Sequence, residues 1–196
     1  VSRESLLYFE IGHQSSTAER EELQLVLTEI MVEIGTVVQD FPAIRQRLQD
    51  ARALVSESES IASELREEAV AFLEWLESNH MTFLGYEYLS VARHGSDSKI
   101  EVLAESRLGM LRHQGSSGVA DLSSDLRSTS FDELLGKQLS FSKSRIRSRV
   151  HRLTYPDYVE IKVFSKAGEI VGQHRFMGLY TSTVYSMNAN LIPILR

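Results

Sequence analysis

The spacing of apolar side chains predicts a long amphipathic helix near the start of the chain. Apolar residues recur every three or four positions, which places them on one helix face: Leu23, Leu27, Ile30, Ile34, Val37 and Phe41. Ser16 and Glu19 form the capping-box pattern that begins such a helix. We therefore expect a helix from about Ala18 to Asp40.

Further helices are predicted up to residue 78. Pro42 lacks a backbone N–H and disfavours helix at the residue before it, so the first helix should break at Asp40-Phe41-Pro42. Apolar residues spaced as on one helix face predict a second helix over about 43–54 and a third over about 64–78. Serine and glutamate alternate at 56–60, which is typical of a solvated linker.

After residue 80 the apolar period changes from 3.6 to 2, which indicates strands. The pattern predicts five of them: Met81–Val91, Lys99–Ala104, Leu139–Leu153, Tyr158–Phe164 and Ile170–Tyr180. Turn residues at 94–98, 154–157 and 166–168 favour antiparallel hairpins. We also expect a mobile loop over 112–130 and a short helix over 130–135. Helices followed by a roughly five-stranded antiparallel sheet predict an α+β fold.

The apolar run from Leu6 to Ile11 precedes the first helix and is too short to form a helix itself. Its composition indicates a strand. Because no pairing partner follows at once, we expect this run to be the last strand of a domain that begins upstream.

Few kinds of chemistry fit the composition. The chain has no cysteine, which excludes disulfides, thiolate metal sites and cysteine nucleophiles, and its six histidines are scattered. None of the G-x-x-x-x-G-K-[ST], G-x-G-x-x-G, G-x-S-x-G or H-E-x-x-H motifs occurs. We therefore expect no catalytic, cofactor-binding or metal-binding residue in this chain. No apolar run is long enough to span a membrane and no signal peptide is recognisable, so we expect a cytoplasmic protein without a membrane partner.

The charge of −6 is unevenly distributed along the chain. Residues 1–80 hold 16 acidic and 6 basic side chains, a net charge of −10, whereas residues 81–196 hold 11 acidic and 15 basic ones, a net charge of +4. The acidic part coincides with the predicted helices and the basic part with the predicted sheet. The two parts of the chain are therefore electrostatically different.

Basic side chains occupy every second position of one predicted strand: Lys143, Arg145, Arg147, Arg149 and His151. In a strand this spacing places all five on one face, where they would form an anion-binding or partner-binding surface. A solvated strand whose charges pair across the sheet is the simpler interpretation. Docking of the acidic helical segment, within the chain or across a dimer, and binding of a small anionic effector are the alternatives. The overall acidity and the lack of interleaved aromatics argue against nucleic acid.

Five segments of the chain together resemble one protein family, the large bacterial NAD-specific glutamate dehydrogenases. The segments are Thr82-Phe83-Leu84-Gly85-Tyr86, Leu108-Gly109-Met110-Leu111-Arg112, His151-Arg152-Leu153-Thr154-Tyr155-Pro156-Asp157-Tyr158, Arg175-Phe176-Met177-Gly178-Leu179-Tyr180-Thr181-Ser182 and Ile192-Pro193-Ile194-Leu195-Arg196. Their order and spacing match over about residues 60–196. The helical part, with Asp40-Phe41-Pro42, is similar to the stretch that precedes this region in the family.

The resemblance implies a place within a longer enzyme. Residues 1–60 would hold the last strand and helix of an ACT-like domain and a helical linker, and residues 61–196 would form a PAS-like α+β domain. The parent enzyme would oxidatively deaminate L-glutamate to 2-oxoglutarate with NAD, but the family's catalytic and NAD-binding parts have no counterpart here. The resemblance therefore implies a regulatory or oligomerisation segment that holds no cofactor itself.

The same resemblance implies the partners of this segment. These are the remainder of the same polypeptide and further copies in a homo-oligomer, with an amino-acid effector as a further candidate. A free-standing PAS-like sensor of a small ligand and a protein-interaction module are the alternative functions.

Overall fold

The computed structural model describes residues 6, 8–13, 16–59, 62–94, 97–112 and 138–186, of which 92–94, 97–99 and 185–186 are described by their backbone alone. Its elements are α1 (Thr17–Glu57), α2 (Ser63–Trp75), a wider helical turn (Leu76–His80), β1 (Met81–His94), β2 (Asp97–Gly109), β3 (Leu139–Lys143), β4 (Asp157–Phe164), β5 (Ile170–Tyr180) and α3 (Ser182–Ser186). N-terminal helices followed by five strands confirm the predicted α+β fold. The predicted short helix at 130–135 and all but the first residue of the predicted loop lie outside the described residues.

The five strands form one antiparallel sheet in the order β2-β1-β5-β4-β3. The predicted hairpins β1–β2 and β4–β5 are both present, and β1 pairs with β5 to join them. The first and last strands of the sequence pattern thus lie side by side in the centre, while β2 and β3 form the edges.

The helices pack on one face of this sheet. The C-terminal half of α1 and one side of α2 contribute buried apolar residues that meet aromatic and aliphatic side chains of the strands: Ile44, Leu48, Ala51, Val55, Phe72, Leu73, Phe83, Tyr86, Val159, Ile161 and Phe176. Burial of this apolar surface is the main stabilising contribution to a core of this kind. The apolar spacing of the second and third predicted helices is therefore largely that of the core, whereas only Val37 of the six residues that predicted the first helix is buried.

The predicted helix break at Asp40-Phe41-Pro42 is wrong, because α1 runs without interruption for 41 residues with Pro42 inside it. Proline in a helix interior removes one backbone hydrogen bond and costs roughly 3 kcal/mol. Buried residues on both sides of the proline, Val37 and Ile44, are anchored in the core and keep the two halves together. Tertiary packing thus overrides the local preference of proline.

The carboxylate of Asp40 is buried beside Pro42 and fixes α1 to the end of β2. The backbone N–H of Gly109 donates to its Oδ2 at 2.7 Å, and Nε of Arg112 donates to the same oxygen at 2.9 Å. Gly109 has a φ of +62°, and a Cβ there would collide with the carbonyl oxygen of Leu84. Glycine is therefore needed for the backbone to present this N–H to Asp40.

The described residues of the run Leu6–Ile11 form no strand with another described part of this chain, and the expected pairing with an upstream domain stays a prediction. The side chains of Leu6, Tyr8, Phe9 and Ile11 are all exposed. A strand needs a neighbour for its backbone N–H and C=O groups. The described part of the chain pairs none with this run.

Replacement of Asp40 by alanine should destabilise the fold by about 1–3 kcal/mol, because the buried N–H of Gly109 loses its acceptor. Chemical denaturation followed by circular dichroism measures the change. Asp50→Ala is the matched control, since Asp50 lies in the same helix, is exposed and among the described residues is hydrogen-bonded only to Gln46, one turn away. Equal destabilisation by both variants would show that the buried contact with Gly109 is unimportant.

Candidate functional site

The predicted basic strand Leu139–Leu153 is wrong in its second half, because β3 ends at Lys143. Two serines explain the early end of the strand. The hydroxyl of Ser144 accepts from the N–H of Ile146 at 3.0 Å, and the hydroxyl of Ser148 accepts from the N–H of Val150 at 3.0 Å. Such side-chain bonds to the nearby backbone compete with a strand ladder.

The predicted alternation of sides nevertheless persists in the irregular segment 144–151. Ser144, Ser148 and Val150 are buried, and the basic side chains between them point outward to different extents: Arg145, Arg147 and His151 are exposed and Arg149 is half-buried. Alternating burial thus arises here from turns fixed by serine. The segment is not part of the sheet, so the five basic groups do not form one flat strand face.

The predicted basic residues have different surroundings. Lys143 donates to Asp157 of the neighbouring strand at 2.6 Å in an exposed pair. His151 adopts a left-handed φ of 66°, which removes it from any extended row. Arg145 and Arg147 lie between them on the exposed surface.

Arg149 joins the basic segment to the acidic helix α1. Its guanidinium donates to Glu33 at 2.8 Å and to Glu29 at 3.3 Å, and these carboxylates raise the pKa of Arg149. Next to it, Val150 is buried in an apolar cluster with Val37 of α1 and Leu84 of β1. The segment therefore holds the middle of α1 against one end of the sheet.

A second group of charges, which we call the charge ladder, crosses all five strands. Arg107 of β2 donates to Glu87 of β1 at 3.3 Å, and Arg175 of β5 donates to Glu87 at 3.3 Å and to Glu160 of β4 at 3.0 Å. Ser140 of β3 donates to Glu160 at 2.9 Å. By strand alternation the ladder lies on the sheet face opposite the helices.

The charge ladder is a structural feature. Its four charged residues are at most 9% exposed, and its two arginines balance its two glutamates. Each carboxylate contacts an arginine, so neither glutamate is left as a base for proton abstraction. A buried charged network of this kind is destabilised strongly when one partner is removed.

A cavity of about 540 Å³ lies where the C-terminal end of α1 meets the β4–β5 end of the sheet. We call it the linker cavity. Ala51 and Val55 of α1 line one side, and Ile161 and Val163 of β4 line the other. Its volume falls in the range of roughly 300–1,000 Å³ that is typical of small-molecule sites.

Polar side chains from several elements border the linker cavity. Gln138, which precedes β3, donates through Nε2 to the carbonyl oxygen of Lys162 at 2.8 Å, whereas no donor reaches its buried Oε1 in the described part of the chain. Lys162 also belongs to the lining, but its buried side chain lies by strand alternation on the face of the charge ladder, because Ile161 faces the helices. Glu57 and Lys166 lie in the lining on opposite elements and are exposed.

His174 of β5 belongs to the lining of the cavity and is hydrogen-bonded to Tyr86. Its Nδ1 lies 2.9 Å from the Tyr86 hydroxyl. Burial lowers the pKa of His174 to about 4 and raises the pKa of Tyr86 to about 12. Both groups are therefore neutral near pH 7.

The sequence did not point to the linker cavity. Gln138, Lys162 and His174 lie far apart in the chain and belong to no motif. Only the sheet order brings them to one end of the fold, because it places β5 between β1 and β4. Within the described residues, no three histidine or carboxylate side chains are placed to hold a metal ion, and no helix has the length and apolarity to cross a membrane.

Two curated relatives align with the whole chain. The NAD-specific glutamate dehydrogenases of Halomonas elongata and Pseudomonas aeruginosa are each 34% identical to it, over 201 and 200 residues. Each alignment covers 100% of this chain but only 12% of the length of the relative. The resemblance predicted from the sequence segments is confirmed. No protein-family model matches the chain.

Solved structures show only a distant likeness. The crystal structure of the ligand-binding domain of the Campylobacter jejuni chemoreceptor Tlp3 in complex with L-norvaline is 15% identical, with a TM-score of 0.27. The match covers 91% of this chain and 64% of that one. A likeness at this level carries no argument about fold or ligand.

Arg149→Glu should lower the stability of the chain, because it places a third carboxylate beside Glu29 and Glu33. The double variant Arg149→Glu/Glu33→Arg should recover part of the loss, with a coupling energy of about 0.2–1 kcal/mol for a partly exposed pair. Arg147→Glu combined with Glu33→Arg is the control cycle, since Arg147 lies two positions away on the exposed surface. Equal coupling in both cycles would exclude a specific Arg149–Glu33 contact.

His174 should remain neutral in the folded chain as the pH falls from 6.5 towards 4. Since burial lowers its folded pKa from 6.5 to about 4, unfolding takes up a proton in this interval and the fold loses stability as the pH decreases. Imidazole ¹⁵N chemical shifts measured by NMR during a pH titration report its protonation directly. Protonation of His174 with a midpoint near 6.5 would contradict its burial against Tyr86.

Proposed function

We propose that this chain is a non-catalytic regulatory and assembly segment from the N-terminal region of an NAD-dependent glutamate dehydrogenase. The parent enzyme would convert L-glutamate, NAD and water to 2-oxoglutarate, ammonia and NADH in the cytoplasm. The observation that carries this proposal is the 34% identity over the whole chain, combined with coverage of only 12% of the relatives. NAD would be bound by another part of the parent enzyme.

The chemistry of the described residues supports a non-catalytic role. The buried carboxylates of Glu87 and Glu160 are held by arginines, and the buried His174 is bonded to a tyrosine. A general base needs a free proton-accepting atom within reach of a substrate, and the arginine contacts occupy these carboxylates. The sequence also lacks the glycine motif of a dinucleotide fold.

The N-terminal half of α1 supports a role in assembly. Apolar side chains lie on several sides of this helix and are exposed: Leu25, Leu27, Met31, Val32 and Val38. Exposed apolar residues grouped on a surface often mark a site that another part of the protein covers. We infer that this half packs against the remainder of the parent polypeptide, together with the exposed apolar run that ends at Ile11.

This inference agrees with the domain division predicted from the sequence. Residues 1–60 would complete an upstream ACT-like domain and link it to a PAS-like domain at 61–196. The alternative is that the same surface forms contacts between copies of the parent enzyme in a homo-oligomer. The linker cavity is the observation that favours the second candidate function, a PAS-like sensor of a small ligand.

In the full-length parent enzyme, Leu27→Glu/Met31→Glu should disturb assembly, since it places two charges in the exposed apolar surface of α1. Light scattering after size exclusion gives the oligomer mass, limited proteolysis reports domain docking, and NADH formation with L-glutamate reports activity. Increased cleavage near residues 1–40 without a change in mass supports intrachain docking. A reduced mass supports the oligomer contact.

Ala43→Glu/Ala53→Glu is the matched control, because both positions are exposed on the C-terminal half of α1, outside that surface, and the charge change is the same. The 196-residue chain alone should form no NADH from L-glutamate and NAD. Turnover by the chain alone would refute the non-catalytic role, and wild-type mass, cleavage and activity in Leu27→Glu/Met31→Glu would refute the role in assembly.

A further inference from the structure

We propose that two copies of this chain associate reciprocally, with the N-terminal part of α1 in each copy packing on the loop 145–155 of the other. We call these two elements the acidic end (residues 17–36) and the basic tip (residues 145–155). The proposal rests on the assembly part of the proposed function and adds to it a second contact, on a different side of α1.

The acidic end and the basic tip carry opposite charges and lie side by side. The acidic end holds five glutamates and one arginine, a net charge of −4, and the basic tip holds four arginines and no carboxylate, a net charge of +4. Within one copy they meet where Arg149 pairs with Glu29 and Glu33. Glu22 of the acidic end and Arg147 of the basic tip are exposed. The two elements are thus complementary within one copy, and their exposed charges can form pairs of the same kind with a second copy.

The exposed apolar residues of the acidic end lie on two sides of the helix. Leu27 and Met31 lie beside Ile11, on the side proposed to pack against the parent polypeptide. Leu25 is two positions from Leu27, which places it about 160° away around the helix axis. Val32 follows Leu25 by seven positions and lies on its side of the helix, and the two are 57% and 61% exposed. This second apolar side therefore suits a different partner.

The side of Leu25 is also the side that meets the basic tip. Glu22 and Glu29 precede and follow Leu25 by three and four positions, so they share its side, and Glu29 contacts Arg149. The acidic end and the basic tip therefore form one continuous surface that is acidic in one half and basic in the other. A two-fold axis through the middle of such a surface brings each half against the opposite half of the other copy. A second copy of this chain is thus the partner that matches both halves at once.

The basic tip presents apolar side chains from a fixed backbone. Leu153 and Tyr155 are 64% and 48% exposed. The backbone N–H of Ser148 donates to the carbonyl oxygen of Thr154 at 2.8 Å and closes the loop. His151 has a left-handed φ of 66°, which is unfavourable for a residue other than glycine and persists only where its surroundings impose it. Because the loop is already ordered, little conformational entropy is lost when its apolar side chains pack against a second copy.

Sedimentation velocity of the 196-residue chain over a range of concentrations tests the proposal. The chain should show a monomer–dimer equilibrium, and a dissociation constant weaker than about 1 mM would overturn the proposal. The acidic-end variant is Glu21→Lys/Glu22→Lys, and the basic-tip variant is Arg145→Glu/Arg147→Glu, all at exposed positions. Each variant should weaken dimerisation at least about tenfold, because like charges then face each other in both halves of the contact.

An equimolar mixture of the two variants identifies a contact between copies. In the mixed dimer one half of the contact keeps its native charges, and in the other half both charges are reversed. The mixture should therefore dimerise at least about tenfold more strongly than either variant alone. Mixing cannot repair an effect within one chain, so a mixture that dimerises no better than its components would overturn the proposal.

Two controls locate the contact on the side of Leu25. Glu64→Lys/Glu67→Lys makes the same charge change at exposed positions near the start of α2, and Leu27→Glu/Met31→Glu alters the other side of α1. Both should leave dimerisation of the 196-residue chain unchanged, and weakening by either one equal to that of the acidic-end variant would overturn the proposal.

Circular dichroism checks that each variant is folded. Should a charge variant fail to fold, Leu25→Glu and Leu153→Glu change single exposed positions in the two halves of the contact, and each should weaken dimerisation at least about tenfold. Wild-type dimerisation of both would overturn the proposal. These measurements use the isolated chain and no catalytic readout, so the contact fails or survives independently of whether the parent is a glutamate dehydrogenase.

Discussion

The position of α1 depends on one buried carboxylate. Asp40 receives the N–H of Gly109 and the guanidinium of Arg112, and it does so two residues before a proline that would otherwise interrupt the helix. Because that contact and the flanking buried residues fix both sides of Pro42, α1 remains one continuous element. The C-terminal half of α1 lines the linker cavity, and its N-terminal half carries the exposed apolar surface. Both candidate functional regions are therefore held in place by the same contact.

The segments that carry the family resemblance make structural contacts with one another. Asp40-Phe41-Pro42 meets Leu108-Gly109-Met110-Leu111-Arg112 through the Asp40 carboxylate. The segments 82–86 and 175–182 pack closely at Gly178, where a Cβ would come within 2.6 Å of the carbonyl oxygen of Thr82. Arg152 donates to the carbonyl oxygen of Tyr180 and so connects the segment 151–158 with the segment 175–182. The segments that resemble the family thus hold one another in a defined conformation.

The spacing of apolar residues predicted those helices and strands that bury one face. It failed where a contact with a distant part of the chain determines the local conformation. The bounds of β5 agree with the prediction, and those of β4 differ by one residue, because their side chains alternate cleanly between the two faces of the sheet. The failures at Pro42 and after Lys143 have physical causes that local patterns do not contain. At Pro42, burial of apolar residues on both sides stabilises the helix by more than the missing backbone hydrogen bond destabilises it. After Lys143, the hydroxyls of Ser144 and Ser148 accept from backbone N–H groups that a strand would have paired with a neighbouring strand. The cavity was not predictable for the same reason, since its polar groups come together only through the sheet order.

A single rigid helix offers a physical route between ligand binding and assembly. α1 has 41 residues and spans roughly 60 Å at a rise of about 1.5 Å per residue. A ligand in the linker cavity would contact the end of α1, and the apolar surface of its N-terminal half would contact the rest of the parent. Such coupling requires that the ligand favour one position of α1 over another. The Arg149 pairs with Glu29 and Glu33 are partly exposed and individually weak, so they are the contacts that a small displacement of α1 would exchange at lowest cost. The buried Asp40 contact, by contrast, would act as the fixed point about which the two ends of the helix move.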